Sequence, residues 1–256
     1  MSRALVEHLL AGRQARQAWP PVGEKAPDLT VEQAYGLQRE LEQALVARGE
    51  RVVGWKVGFT TAALQERHGL TEPVLGFLLG SGVFNSGDAL PVSRFVAAPG
   101  VEVEVAFLLS ADLAGPGVTA ASALLAVEGA LPALELIDFR LSGTPRGTDV
   151  IADGVYANAI VLGRPLTPLA GIDLALEGVV FEQDGQIVAT QTAAEVLGNP
   201  LVSLAWAANT LGRMGRGLRA GDLVMTGSIS RVLRPSAGQS IRASFTRLGG
   251  VSCRFA

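Results

Sequence analysis

The sequence predicts an α+β fold: a helical portion over residues 1–50, then a rolled or sandwiched mixed sheet over residues 51–256. Three observations predict it. Apolar residues recur at helical spacing up to Gly49. From residue 51 the chain breaks into short apolar or alternating runs separated by glycine-rich turns. These runs outnumber the helical stretches and do not alternate with them, as a parallel βαβ sheet would require.

Leu5, Leu9 and Leu10 form the first helical stripe, and WPPVGEKAPDL is a loop. Thr30-Val31-Glu32-Gln33 has the form of a capping box, and Val31, Ala34, Leu37, Leu41 and Leu45 continue at helical spacing. Strands are predicted over 52–59, 101–109, 132–139, 155–162, 176–182, 186–191, 222–226, 240–246 and 250–255. Gln183-Asp184-Gly185 joins two of them as a hairpin. One helix is expected to follow Thr119, from Ala120 to Gly129; another starts at Asn199, with Pro200 in its first turn. GRMGRG at 212–217 follows that helix, so it reads as a C-cap and turn rather than a phosphate loop.

Composition narrows the function. Of 256 residues 48% are hydrophobic, enough for a sizeable core, yet no apolar run approaches the roughly 20 residues needed to cross a bilayer. MSRALVEHLLAGRQARQ lacks the plan of a signal peptide. The net charge of −3 argues against nucleic acid, which calls for a basic domain. The single Cys253 forbids an internal disulfide and a cysteine zinc site, and His8 and His68 are too far apart for an HExxH motif. A soluble cytoplasmic protein is expected, with no membrane partner.

The stretch VEVEVAFLL at 101–109 is unusual. Glu102 and Glu104 share a strand face, about 6.6–7 Å apart at Cα, and that face continues through Ala106 and Leu108. A solvated strand face is the plain alternative, but apolar neighbours make unpartnered carboxylates expensive. With histidine and lysine scarce, a hard divalent cation held by oxygen ligands is the natural partner. LPALELIDFR at 131–140 offers a third carboxylate, Glu135, beside Ala133 and Ile137; a buried Glu–Arg pair is its alternative. Asp138 falls on the other face with Arg140, and a simple pairing of the two is the expectation there. Only two lysines occur, Lys25 and Lys56. Lys56 lies between Gly54 and Gly58 in an apolar strand, where an amine can be tuned toward neutrality as a guanidinium cannot; a lysine snorkelling from an edge strand is the alternative.

These pieces, in this order, resemble the fumarylacetoacetate hydrolase superfamily, and within it the 2-keto-4-pentenoate hydratase / 4-oxalocrotonate decarboxylase branch. The resemblance runs from about residue 30 to the end. It is carried by GWKVGFT, EPVLGFLL, PGVEVEVAFLL, LPALELIDFR, DVIADG, EVLGNPLVSLAWAAN, GDLVMTGSI and LGGVSCRF. It implies a mixed β-roll, commonly assembled into homo-oligomers. It implies Mg²⁺ or Mn²⁺ held by Glu102, Glu104 and Glu135, and a 2-oxoacid substrate chelating that ion. It places Lys56 in the same pocket and Gly58, Thr226 and Gly227 in the substrate-binding region. It implies a hydratase that converts a 2-hydroxy-2,4-dienoate to a 4-hydroxy-2-oxoacid in aromatic-compound catabolism. Decarboxylation of a 2-oxo-3-enedioate is the alternative, and a non-catalytic metal-binding homologue partnering an active relative is another. C–C bond hydrolysis is disfavoured, since no Glu–His pair is found in the N-terminal third. The chain departs from the pattern at Gly100, at Gly154 and at Ser81, which stands where the family often has Asp and which is expected in the catalytic group. Arg140, Arg146 and Arg231 are candidates to meet a distal substrate carboxylate, or else surface or structural arginines.

Overall fold

The computed structural model describes residues 2–15 and 17–256. In chain order its elements are α1 (Ser2–Arg13), α2 (Val31–Val46), β1 (Val52–Gly58), α3 (Ala62–Arg67), β2 (Val74–Leu79), β3 (Val83–Asn85), β4 (Ala89–Leu90), β5 (Pro99–Leu109), α4 (Ala120–Leu124), β6 (Val127–Asp138), α5 (Gly147–Ala152), β7 (Ala157–Leu162), β8 (Gly178–Gln183), β9 (Gln186–Thr192), α6 (Pro200–Arg213), β10 (Leu223–Met225), β11 (Ser240–Phe245) and β12 (Gly250–Phe255). No helix among the described residues is long and apolar enough to cross a membrane.

Two sheets carry the fold. One runs β2-β1-β10-β5-β6-β7-β3 and the other β4-β12-β11-β8-β9. The first curls until β2 comes back against β7. A bare backbone makes that closure possible: a Cβ on Gly76 of β2 would stand 2.6 Å from the carbonyl oxygen of Gly154. Along β5, Val101, Val103, Val105 and Phe107 point outward into the main core. The alternate residues Glu102, Glu104, Ala106 and Leu108 point into the roll. Ala106 and Ala133 pack there with Leu78, Ala157, Ile160, Leu223 and Met225. The roll is thus apolar at one end and carboxylate-lined at the other.

The N-terminal helices share one core with the barrel, since Leu9 and Leu41 cluster with Trp55, Val57 and Phe77. The α2 capping box forms between Thr30 and Gln33. Buried Gln38 on α2 donates to the carbonyls of Leu75 (2.8 Å) and Ile151 (2.7 Å), tying β2 to α5. Some expectations change. The helix after Thr119 stops at Leu124 and β6 begins at Val127, because the apolar alternation of the roll takes over. The segment 212–217 does close α6 as a turn, with Gly215 at φ 69°.

Between α5 and β7 the chain makes a strained corner: Val155 and Tyr156 have φ of 57° and 59°. Left-handed backbone at a β-branched residue costs of order 1–3 kcal/mol and persists only when its surroundings impose it. Buried Arg140 imposes it here. Its guanidinium donates to the carbonyls of Asp153, Tyr156 and Ala157, each at 3.2 Å. Nε donates to Asp153 Oδ1 at 2.9 Å, and Nη2 makes an ion-pair contact with Oδ2 at 2.7 Å. Breaking such a pair from one side leaves a buried charge uncompensated. Arg140→Met is therefore expected to cost about 3–5 kcal/mol in urea denaturation, and Arg140→Met with Asp153→Leu to recover part of it. Equal losses in the single and double variants would show that the pair does not hold the corner.

Candidate active site

Strand register brings the site together. β5 and β6 pair antiparallel with Glu102 directly opposite Glu135, and Glu104 lies one inward position along. One carboxylate oxygen from each of Glu102, Glu104 and Glu135 lies within 4.8 Å of the others. Glu104 and Glu135 are fully buried and Glu102 is half-buried, at the cavity end.

The compensation for this burial is incomplete. Glu104 Oε2 accepts the Gly227 amide at 2.8 Å. Gly227 has φ 116°, and a side chain there would strike Thr60. Lys56, on β1, sends Nζ across the roll to 3.1 Å from Glu135 Oε2. That contact is a buried ion pair, which compensates Glu135 Oε2. Glu104 Oε1 and Glu135 Oε1 are buried with neither a hydrogen-bond nor an ion-pair partner. Nζ also reaches the carbonyl of Val155 at 3.4 Å, so the strained corner supplies a wall of the site.

Protonation follows. Burial pushes Glu102 up to about 7, with Lys56 opposing and Glu135 assisting. Burial, then repulsion from Glu135 and Glu102, drives Glu104 well above the carboxylate range. Burial works to lower Lys56, but Glu135, Glu102 and Glu104 outweigh it and its pKa rises. The expectation of a lysine tuned toward neutrality is thus corrected: with the carboxylates uncompensated, Lys56 is held as an ammonium.

Two buried oxygens without partners, in an oxygen-only set of three carboxylates, fit a hard divalent cation. Above them opens a cavity of about 800 Å³ lined by Lys56, Gly58 and Glu102, with Phe59, Phe139 and Tyr156 among its walls. Gly58 leaves it room, since a Cβ there would stand 2.8 Å from Val155 Cγ1.

Two expected residues lie elsewhere. Ser81 belongs to a different cavity, where its hydroxyl donates to Glu50 at 2.8 Å. The reason is register: β2 runs antiparallel to β1, with Gly76 opposite Lys56 and Leu79 opposite Val52, so the chain has passed the far end of the roll before Ser81. Thr226 does not line the site cavity; its hydroxyl donates to the Val105 carbonyl at 2.8 Å, while its own carbonyl accepts the Ser203 hydroxyl at 2.6 Å. Asp138 accepts the amides of Val96 and Ala97 rather than pairing with Arg140. Arg140 is spent on Asp153, and Arg146 binds the Pro27 carbonyl and Asp149. Arg231 does line the cavity, together with Arg67 and Arg234. His68 also lines it, stacked on Phe59 at 4.5 Å between ring centroids, with burial lowering its pKa. Nothing in the residues around it, TAALQERHGL, marks it as a site residue.

Comparison with known proteins agrees with this geometry. Residues 46–256 match the model of the fumarylacetoacetate (FAA) hydrolase C-terminal family. The chain is 36% identical to a 2-hydroxypent-2,4-dienoate hydratase of Pseudomonas putida, over 82% of this chain and 96% of that one. It is 33% identical to a 4-oxalocrotonate decarboxylase of Pseudomonas sp. strain CF600, over 98% and 96%. Among solved structures, the 4-oxalocrotonate decarboxylase of Pseudomonas putida G7, complexed with magnesium and adipate, superposes with a TM-score of 0.96 at 31% identity, covering 100% of this chain and 97% of that one. With a family match over most of its length and whole-chain relatives above 30% identity, the chain belongs to the fumarylacetoacetate hydrolase family.

Proposed function

We propose that the protein is a divalent-cation-dependent hydratase that converts a 2-hydroxy-2,4-dienoate to a 4-hydroxy-2-oxoacid. The observation that carries this reading is the triad of Glu102, Glu104 and Glu135, with Glu104 Oε1 and Glu135 Oε1 buried and unpartnered, facing Lys56 at the floor of the cavity. The likeness to a 2-hydroxypent-2,4-dienoate hydratase supports the substrate class. Mg²⁺ or Mn²⁺ held by the three glutamates would supply Lewis-acid polarisation of the substrate's 2-oxygen and neighbouring carboxylate.

This chain's own residues do the rest. Lys56, charged and fixed by Glu135 and the Val155 carbonyl, is placed to stabilise an enolate and to deliver a proton. Ketonisation moves the enol proton to carbon and leaves a conjugated 2-oxoacid. Water then adds across the remaining double bond, hydroxyl to C4 and proton to C3. Ile137, Phe139, Leu141 and Val155 make one side of the cavity apolar, which shields the enolate from bulk water. The second reading, decarboxylation of a 2-oxo-3-enedioate, is favoured by the whole-chain likeness to 4-oxalocrotonate decarboxylases. The same charged Lys56 would face the enolate left by departing CO₂.

Turnover of 2-hydroxypenta-2,4-dienoate, followed by loss of dienol absorbance, tests the reading. Loss that requires Mg²⁺ or Mn²⁺ and stops with EDTA, yielding 4-hydroxy-2-oxopentanoate, is expected. No loss, alongside CO₂ release from a 2-oxo-3-enedioate, would establish the decarboxylase instead. Lys56→Met is expected to lower kcat by about 10²–10⁴-fold, the range of a lost acid–base group, while Mg²⁺ still stabilises the variant. Unchanged kcat would remove Lys56 from the chemistry.

Stability should depend on pH with a definite sign. Glu102 and Glu104 have folded pKa values raised above their unfolded ones. Protonation therefore favours the folded state below about pH 4.5, the unfolded carboxylate value, and that contribution is lost as pH rises through about 7. Metal-free protein is expected to melt lower at pH 8 than at pH 5.5. Mg²⁺ at 100 times its Kd at pH 8 should return about 2.7 kcal/mol at that pH and less at pH 5.5, and Glu104→Gln should weaken the stabilisation at both. A melting temperature indifferent to Mg²⁺ at pH 8 would contradict the cation site.

A further inference from the structure

A second cavity, of about 410 Å³, opens where α1, the end of α2, β2 and β7 meet. Its volume suits a small ligand, and neither Lys56 nor any of the three glutamates lines it. Six charged side chains reach its wall: Arg13, Arg48, Arg94, Arg140, Glu50 and Asp138. Two of them are already satisfied. Arg140 is paired with Asp153, and the Asp138 oxygens accept the Val96 and Ala97 amides at 2.7 and 3.1 Å. What remains is three guanidinium groups against the charge of Asp138 and one further carboxylate, Glu50, a net excess of one positive charge.

That carboxylate is engaged, because Glu50 Oε1 accepts the Ser81 hydroxyl at 2.8 Å. Arg94 spends Nε and Nη2 on Asn158, at 2.8 and 3.2 Å, and leaves Nη1 without an acceptor. Arg13 donates Nη2 to the Asp153 carbonyl, and its Nε has no acceptor. Among the described residues none of Arg13, Arg48 and Arg94 forms an ion pair. Solvated surface arginines are the plain alternative. It suits Arg48, which is exposed, but not Arg13, which lies over Phe77 at 5.6 Å. Burial and the neighbouring Arg140 charge press Arg13 down to about 9, against the partial support of Asp153, Asp138 and Glu50.

We propose that this cavity is a binding site for a small oxyanion, a phosphate or a polycarboxylate, held by Arg13, Arg48 and Arg94 beside the Ser81 hydroxyl. The site accounts for Ser81 and for the arginines of the N-terminal helices, which the chemistry in the roll does not use.

The test is calorimetric titration of the full chain with Mg²⁺ present, using inorganic phosphate and, separately, tricarballylate, each against chloride at equal ionic strength. Saturable binding of at least one anion is expected, weakened tenfold or more in Arg48→Gln and in Arg13→Gln and preserved in Lys56→Met. Binding of phosphate alone identifies a phosphorylated ligand; binding of tricarballylate alone identifies a polycarboxylate. If Arg13→Gln does not fold, Arg48→Gln at the exposed rim decides. The proposal is overturned if neither anion binds beyond chloride, if the arginine variants bind as wild type, or if Lys56→Met abolishes binding.

Discussion

The mutual repulsion of three carboxylates, held with an oxygen of each within 4.8 Å of the others on the buried face of a sheet, is the constraint on which the rest of the structure depends. Two like charges at such separations in a partly apolar medium repel by several kcal/mol, and burial adds its own penalty. The sheet cannot relieve this by sliding. A one-residue slip of β5 would turn Glu102 and Glu104 into the main core and bring Val101 and Val103 into the roll. The packing of Val101, Val103, Val105 and Phe107 on the other face forbids it. Hydrophobic burial on one side of β5 thus fixes an unfavourable charge cluster on the other. Lys56 cancels one charge and the Gly227 amide eases another, which leaves a deficit of the size a divalent cation fills.

The strain at Val155 and Tyr156 belongs to the same economy. The corner turns the Val155 carbonyl toward Lys56, and its backbone conformation is one that a valine avoids when free. Arg140 holds it by gathering three carbonyls and the Asp153 carboxylate around one guanidinium. A lysine could not do this, because a single ammonium lacks the planar fork of donors. The cost of burying Arg140 and Asp153 is offset by their pairing, and the result is a rigid wall beside the reacting end of the cavity. Structure remote from the carboxylates therefore sets where the ammonium sits.

Much of this was legible in the sequence. The alternation in VEVEVAFLL and the lone carboxylate in LPALELIDFR declare themselves because both strands are apolar on either side of their glutamates. Their register opposite one another is a tertiary fact, but two inward carboxylates need a third group, and few others were available. What stayed hidden has physical reasons. β2 is a continuous apolar run with a glycine inside it, so periodicity could not mark it as a strand. Without β2 the direction in which Ser81 is carried could not be known. Thr226 and Arg140 are residue types that sites and scaffolds use equally, and only the partners of their donors tell which. The state of Lys56 was misjudged because burial alone was weighed; the three carboxylates that outweigh it come from other strands.

Burial acts to neutralise Lys56, and in the absence of a cation Glu135, Glu102 and Glu104 outweigh it and hold the proton on Nζ. Neutralising the carboxylates weakens the pull that keeps the proton on Nζ and leaves burial to act against it. The ammonium then has a compensating partner only when negative charge develops on the substrate. An enolate supplies such charge, in hydration as in decarboxylation, so the geometry favours reactions that pass through one without choosing between them. Three arginines outside the carboxylate cluster, Arg67, Arg231 and Arg234, complete the charged lining of the cavity.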